Sequence, residues 1–555
     1  MGHRRGHQLR RKNAMTTPSA FEYAPAGRDP RLRLIGPEIP PDYAVAVLHA
    51  LDDVRILFRF GEDCRGGAAV AAAAAAALST RLFGDVRTDR DLELPPNWWL
   101  VRSIAELLDR TRALRPPPLT PPGNTIAVTI GAAGISAGDY GIGGDDWTAR
   151  IDIAPVSVAV DSHGLGVHAA ACLMTGQLLH RVLGPFGYPG VALRGLYALD
   201  LITHQPTGSP GSVSEARPVC MAGVGITEVG IAGVGSVGTS TAALLATALA
   251  PGYTTALPAA VARPRIVLID ADDFDPQRNP FRYPALMGGE TGSKAVTMAE
   301  RLCGAGLVAL AAPLRVGPWV AGRERPGFDG LLVSSVDTLS GRLEVADVLA
   351  RDTLSIGVAG LSLHAQREPV AAVDRACPYC DFVDAAPPST QAEVHAAGTG
   401  LSVARILELL GRDDARLTAA DLDLAVAAGR VPEVRRRQLV GAPLADLVRQ
   451  AYAEAALAVR TGAGAPPPGG GSAQEVVAVA APHVSWFAGT IAAAETIKQL
   501  LELPLLDGRV DVDLAGLPPG LLRRMPPDPT GTCLCRSAVR RRWAQRLYTG
   551  PLSAA

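Results

Sequence analysis

Gly233-Val-Gly235-Ser-Val-Gly238 follows an apolar run and opens a helical pattern. In that setting Gly-x-Gly-x-x-Gly has a mechanism. The glycines allow a tight turn and close backbone approach, and the helix N-terminus offers N–H groups to a phosphate. The next apolar run, Arg265–Asp270, ends in a carboxylate suited to a ribose hydroxyl. A purely structural glycine turn is the bland alternative, and the loop alone does not separate a dinucleotide from ATP.

The residues after Asp270 favour ATP. Asp272, Asn279, Arg282 and Lys294 crowd the segment just past the ribose carboxylate. A dinucleotide reductase has no need of such a set, whereas an enzyme holding a triphosphate does. Arg282 and Lys294 can neutralise phosphates and stabilise departing pyrophosphate, and Asn279 can bond phosphate or ribose. Lys294 is one of three lysines, with Lys12 and Lys498, against fifty arginines, so each lysine draws suspicion. The alternative for this segment is a solvated charged loop.

Cys377-Pro-Tyr-Cys380 and Cys533-Leu-Cys535 could give four thiolates to one tetrahedral Zn²⁺, a closed structural site rather than a catalytic one. The other cysteines, Cys64, Cys172, Cys220 and Cys303, lie in or beside apolar segments and read as packed small residues.

The elements that must position these residues alternate. Strands are expected at Val54–Phe60, Ile126–Ile130, Val229–Ala232, Arg265–Asp270 and Leu331–Val336. Helices are expected at Ala68–Leu82, Val167–Leu183, Thr239–Ala250, Ser293–Leu302, Leu401–Leu410 and Gly489–Leu501. Such alternation implies an α/β fold with a doubly wound, Rossmann-like parallel sheet. At 555 residues the chain has room for two to four domains. An apolar fraction of 48% and a net charge of −1 exclude wholesale disorder and give no basic field for nucleic acid. Val229–Ala262 lacks charge but is broken by glycines and prolines, so no membrane span is expected and the cytoplasm is the default. Residues 1–40 are expected to form a poorly ordered arm, with Met15 an alternative start, and 207–218 and 461–475 to be flexible linkers.

The ordered set of motifs resembles the ThiF/MoeB/HesA group, the ubiquitin-activating-enzyme superfamily of adenylyltransferases. The family carries a glycine loop, Asp-x-Asp, Asn-x-x-Arg-Gln, a Gly-x-x-Lys-like element and a later Asp-Asn-x-x-x-Arg. The last is similar to Asp337-Thr-Leu-Ser-Gly-Arg342. The resemblance assigns Asp337 to Mg²⁺ bound to ATP, Ser355–Gln366 to the strand that rejoins the sheet, and Trp486–Lys498 to the family's last helix. It also implies that the two cysteine pairs share a zinc. Two departures stand out: Tyr283 follows Arg282 in place of Gln, and Thr338 follows Asp337 in place of Asn. Relatives that form thioesters keep a further cysteine between the zinc pairs, and residues 381–532 contain none.

The N-terminal third repeats the pattern. Gly61-Glu-Asp63-Cys-Arg-Gly66 follows Val54–Phe60 as the glycine loop follows Val229–Ala232, with Asp63 at the middle glycine. Gly166-Val-His-Ala-Ala-Ala matches Gly489-Thr-Ile-Ala-Ala-Ala, and nothing after Ile130 matches Asp337. Residues 41–218 therefore read as a degenerate, catalytically dead copy, and 219–545 as the active domain, paired as a pseudo-dimer in one chain or as a homodimer. A distinct conjugating-enzyme-like module is the rival for the first segment.

The expected activity is ATP-dependent adenylylation of a C-terminal carboxylate on a ubiquitin-like or sulfur-carrier protein or peptide. ATP, Mg²⁺ and structural Zn²⁺ are the cofactors. The alternatives are a NAD- or FAD-dependent oxidoreductase and a non-catalytic nucleotide-binding scaffold.

Overall fold

The computed structural model describes residues 43–114, 121–207, 226–249, 262–370, 375–380, 391–451, 480–518, 521–528 and 533–548, with short gaps inside several of these and isolated positions around them. Of the expected arm 1–40 only Arg31 and Leu34 are described, both buried rather than loose, with Arg31 Nη1 2.7 Å from Asp52 Oδ1. Nearly all of the linker 207–218, the segment 461–475 and Cys220 lie outside the described residues.

The first half runs α1 (Ala44–Asp52), β1 (Val54–Phe60), α2 (Gly66–Leu82), β2 (Asp85–Thr88), α3 (Ile104–Arg112), β3 (Asn124–Ile130), β4 (Tyr140–Gly144), β5 (Thr148–Asp152), α4 (Leu165–Leu183), β6 (Tyr197–Asp200) and β7 (Gln205–Pro206). The second runs β8 (Glu228–Ala232), α5 (Ser236–Leu249), β9 (Arg265–Ile269), α6 (Asn279–Arg282), α7 (Lys294–Gly304), β10 (Ala309–Ala312), α8 (Val316–Ala321), β11 (Phe328–Ser334), α9 (Leu339–Asp347), β12 (Ala350–Ala359) and β13 (Ser362–Pro369). A helical group follows, α10 (Gln391–Thr399), α11 (Val403–Leu410), α12 (Ala419–Ala427) and α13 (Glu433–Leu439). The chain then forms α14 (Pro482–Leu500), β14 (Arg509–Asp513), β15 (Leu521–Arg523) and α15 (Ala538–Tyr548).

The two sheets share one topology. The first has order β2-β1-β3-β4-β5-β6-β7 and the second β10-β9-β8-β11-β12-β13-β14-β15. In each, the glycine-loop strand pairs in parallel on both sides, and the sheet turns antiparallel from the fifth strand in order in the first and from the sixth in the second, which has β10 added at its edge. The duplication expected from the loops is thus present in the strand order, with β10 as an addition to the second copy. The sheets are mixed rather than purely parallel. Ser355–Gln366, expected as one rejoining strand, spans parts of both arms of the β12–β13 hairpin. The chain reverses at Gly360 and Leu361, and Ala359 pairs with Ser362. Glycine at 360, with φ of +56°, suits that reversal.

One apolar core joins both halves. Helix α14 packs against α5 of its own copy and α4 of the other. It is apolar on nearly every face and buried throughout except at Gln499, as a helix enclosed by others must be. Small residues let it approach closely: a Cβ at Gly489 would stand 2.7 Å from Ser240 Cβ. The corresponding approach to α2 is made by Gly164, where an added Cβ would stand 2.9 Å from the Gly67 carbonyl carbon, and not by Gly166 as the repeat of alanines suggests. Helices α10 to α13 bury a separate small core around Ile406, Leu422 and Leu447. Among the described residues no helix is long and apolar enough to cross a membrane.

Candidate nucleotide site and four-cysteine cluster

In the second sheet the chain runs outward from β8 through β9 to β10 on one side, and β11 flanks β8 on the other. The crevice beyond the carboxyl ends of β8 and β11 is therefore a topological switch point, where open α/β sheets take ligands. The glycine loop lies there. Gly233 has φ of +86°, and an added Cβ would press on Ser335 and Val336 at about 3.2 Å. A Cβ at Gly238 would stand 2.0 Å from the Gly233 carbonyl oxygen, so the loop closes onto helix α5 only with glycine. Ser335 fastens the far wall: its Oγ donates to Gly233 O at 2.7 Å, and its N–H to Ala232 O at 2.9 Å.

Asp270 stands just past β9. Its Oδ2 accepts from Val234 N at 2.6 Å and its Oδ1 from Asp272 N at 2.8 Å. Burial raises its carboxyl above the usual carboxylate range, against the pull of Lys294 and the two N–H groups. Lys294 opens α7, where Ser293 caps the helix by accepting from Val296 N. Its Nζ lies 3.0 Å from Asp272 Oδ2, and its N–H donates to Asp272 O at 3.0 Å. The lysine is 7% exposed, whereas the Asp272 side chain is 74% exposed. Burial penalises the Lys294 ammonium, but Tyr283, Asp270 and Asp272 outweigh it and hold its pKa above the ordinary lysine value. The site thus keeps a charged lysine beside a glycine loop.

Helix α6 brings Asn279 and Arg282. Asn279 is buried, and its Oδ1 accepts from Asp275 N at 2.7 Å, so its carbonyl oxygen fixes the turn into α6. Arg282 is tied to the loop helix through its carbonyl, which accepts from Ser236 Oγ at 3.1 Å. Its side-chain Nε is buried with no hydrogen-bond partner among the described residues. Asp337 stands exposed two residues beyond Ser335, at the carboxyl end of β11. The described structure therefore places Gly233, Gly235, Gly238, Asp270, Asp272, Asn279, Arg282 and Lys294 about the carboxyl ends of β8 and β9, with Asp337 past the carboxyl end of β11 on the other side of β8.

Tyr283, in the sequence only a departure from the family's motif, also borders the glycine loop. Its ring packs edge-on against Phe274 at 6.4 Å, and its hydroxyl lies 3.8 Å from where a Cβ on Gly235 would be. Burial raises its phenol pKa. Its place directly after Arg282, where the resemblance expects Gln, was the available signal.

The first copy closes the same crevice with its own anion. The Asp63 carboxylate accepts from Ala132 N at 3.1 Å, Ala133 N at 3.1 Å and Val158 N at 3.2 Å. A carboxylate from the copy's own loop thus fills the space past the carboxyl end of β3.

The four sulfurs of Cys377, Cys380, Cys533 and Cys535 lie within 4.8 Å of one another. Cys377–Cys533 is 3.4 Å, Cys380–Cys535 3.5 Å, Cys380–Cys533 3.6 Å and Cys377–Cys380 3.8 Å. A tetrahedron with Zn–S bonds of about 2.3 Å has edges of about 3.8 Å, so the donor set fits the ion. Asp528 supports it: its N–H points at Cys380 Sγ at 3.4 Å, and its Oδ2 accepts from Cys533 N at 2.9 Å. Of the remaining thiols, Cys64 and Cys172 are buried and their pKa values raised, Cys64 to about 12. Cys303, expected as a packed residue, is exposed at the end of α7.

No protein-family model matches the chain, and no curated protein matches it. Among solved structures, the crystal structure of E. coli MccB is 12% identical, with a TM-score of 0.30, over 56% of this chain and 65% of that one. The structure titled "Crystal structure of E. coli MccB + MccA-N7isoASN" is 13% identical, with a TM-score of 0.28, over 56% of this chain and 67% of that one. The chain spans just under two thirds of the first of these.

Proposed function

We propose that the chain is an ATP-dependent adenylyltransferase that activates the C-terminal carboxylate of a protein or peptide as an acyl-adenylate. The observation that carries the reading is the buried Lys294, held charged beside Asp272 and the glycine loop, together with the unpartnered Nε of Arg282. In this reading the substrate carboxylate attacks the α-phosphorus, the bond to the β-phosphate oxygen breaks, and pyrophosphate leaves. No side chain serves as nucleophile, so positioning and electrostatics supply the rate.

The loop of Gly233, Gly235 and Gly238 faces the nucleotide, and Asp270 receives the ribose. Asn279, Arg282 and Lys294 receive the phosphates, and Asp337 holds Mg²⁺. Cys377, Cys380, Cys533 and Cys535 hold a structural Zn²⁺ that ties the chain's end to β13. Residues 41–218 form the inactive partner of 219–545. A NAD or FAD enzyme has no use for two cations past its ribose carboxylate. The substrate class, a ubiquitin-like or sulfur-carrier protein or a peptide, rests on the motif resemblance.

The test is exchange of labelled pyrophosphate into ATP with a carboxylate substrate, alongside equilibrium binding of Mg·ATP. Lys294→Ala and Asp337→Ala should each lower exchange by roughly 30- to 1,000-fold, the worth of a lost charge-assisted contact. Unchanged ATP binding and exchange in both variants refutes the site.

A further inference from the structure

Between the candidate site and the first copy lies a contact that the chemistry above does not use. Arg81 sits at the end of α2 and is fully buried. Its Nη1 donates to Ala77 O at 2.9 Å, and its Nη2 crosses to the other copy. There it meets Leu286 O at 2.6 Å and lies 3.5 Å from Pro280 O and Pro284 O. Two indoles from the same half act beside it. Trp98 Nε1 donates to Ala285 O at 2.9 Å, and Trp99 Nε1 to Pro284 O at 3.3 Å. Trp99 is itself fixed by stacking on Trp486 of α14, centroids 5.7 Å apart.

These acceptors belong to one stretch, residues 280–286. It contains the carbonyl end of α6 and the chain just after it, the segment that carries Arg282 and Tyr283. A helix of four residues cannot stabilise itself, and its last carbonyls need donors from elsewhere. Its own half gives a partial frame: Ser236 Oγ donates to Arg282 O at 3.1 Å, Arg301 Nη1 reaches Ala285 O at 3.4 Å, and Glu290 Oε1 accepts from Met287 N at 3.1 Å. The strong donors come from the copy whose own crevice Asp63 has closed.

We infer that Arg81, with Trp98 and Trp99, is a positioning device through which the first copy holds the 280–286 segment, and with it Arg282, in place for the nucleotide of the second. Arg81 touches no reacting group; it acts through the backbone that presents Arg282. The consequence for nucleotide affinity rests on the proposed ATP reading, while the positioning itself is measurable without ATP.

The experiment uses the full chain and Mg·ATP as probe. Arg81→Met keeps the stem and removes the donors, Arg81→Lys restores one charged donor, and Trp98→Phe deletes only the bond to Ala285 O. Expected is an increase of about tenfold in the ATP dissociation constant for Arg81→Met, the scale of a lost hydrogen bond from a charged group, with most of it recovered in Arg81→Lys. Amide hydrogen exchange should rise over 280–287 in Arg81→Met and in Trp98→Phe, with α14 still protected.

Exchange unchanged in this segment, or raised equally through the whole core, overturns the inference. Equal ATP affinity in Arg81→Met and wild type, where wild type binds, overturns it as well. If Arg81→Met does not fold, Trp98→Phe decides by the same exchange readout. A wild-type chain that binds no ATP instead removes the nucleotide reading and leaves the exchange result to judge the positioning.

Discussion

His204 Nε2 lies 2.7 Å from Glu495 Oε1, and the two residues come from opposite copies of the fold. His204 sits in the turn between β6 and β7, and Glu495 on α14, where Lys498 one turn on pairs with it. Lys498 also donates to Leu201 O at 3.3 Å and Ile202 O at 3.0 Å. The network is sealed: Glu495 is 1% exposed and Lys498 0%.

Removing one member of such a network strands its partner. Lys498→Met should cost about 3–5 kcal/mol of unfolding free energy, because a buried carboxylate is left without its cation and two carbonyls without a donor. Urea unfolding followed by far-UV circular dichroism measures it. A loss under about 1 kcal/mol would show that the pair contributes specificity rather than stability.

Acid should weaken the fold before carboxylates titrate. Burial drives the pKa of His168 and of His483 down to about 3, so both are neutral when folded. His168 accepts from Trp486 Nε1 at 3.2 Å, which requires an unprotonated Nδ1. The unfolded chain protonates these rings near pH 6.5, so it binds more protons than the folded chain below that pH, and stability falls as pH falls from about 6.5 towards 3. Each ring should contribute a slope of up to about 1.4 kcal/mol per pH unit once the unfolded histidine is fully charged. His483→Leu should flatten the slope by close to one proton; an unchanged slope would mean this ring is charged in the folded state.

The chain as purified without chelator should carry one zinc, measured by elemental analysis. Cys377→Ser should lose the metal and lower the melting temperature, since the site joins β13 to the segment before α15. Metal-free wild type with unchanged stability would remove zinc from the account.

Nucleotide should bind at one site per chain by calorimetric titration. Asp63→Ala should destabilise by about 1 kcal/mol, because the part-buried N–H groups of Ala132 and Val158 lose their acceptor. It should add no second ATP site, since Gly131 and Ala132 follow Ile130 where the second copy has Asp337 after its β11 strand. Two equivalent sites in wild type would make the first copy active.

The sequence showed those features that follow from local rules. Val54–Phe60 alternates buried and half-buried positions and ends where its pattern ends. The glycine loop announced its strand and helix because no other residue fits Gly233 or Gly238. Four cysteines in two close pairs converge as their spacing suggested. Neither the edge strand Asp85–Thr88, mostly polar, nor Tyr140–Gly144, mostly glycine, where the first sheet turns antiparallel, was legible, because such strands are defined by their neighbours. Lys498 shows a second limit. Its rarity marked it as special, but rarity does not distinguish a ligand contact from a sealed ion pair, and only the fold shows that it bridges two copies. Nor could spacing reveal that Arg81 serves carbonyls in the other half.

Helix α14 also sets the order in which this protein can be completed on the ribosome. It fills the space between α4 and α5, yet it is made last among the three. A nascent chain that has finished α4 at Leu183 and α5 at Leu249 carries both apolar faces uncovered until Pro482–Leu500 has emerged. Through that interval the early segments resemble a folding intermediate with exposed core, open to chaperones and to aggregation. A stop codon anywhere before α14 therefore does not yield a working first half. It yields a fragment in which the helix faces meant for α14 stand open.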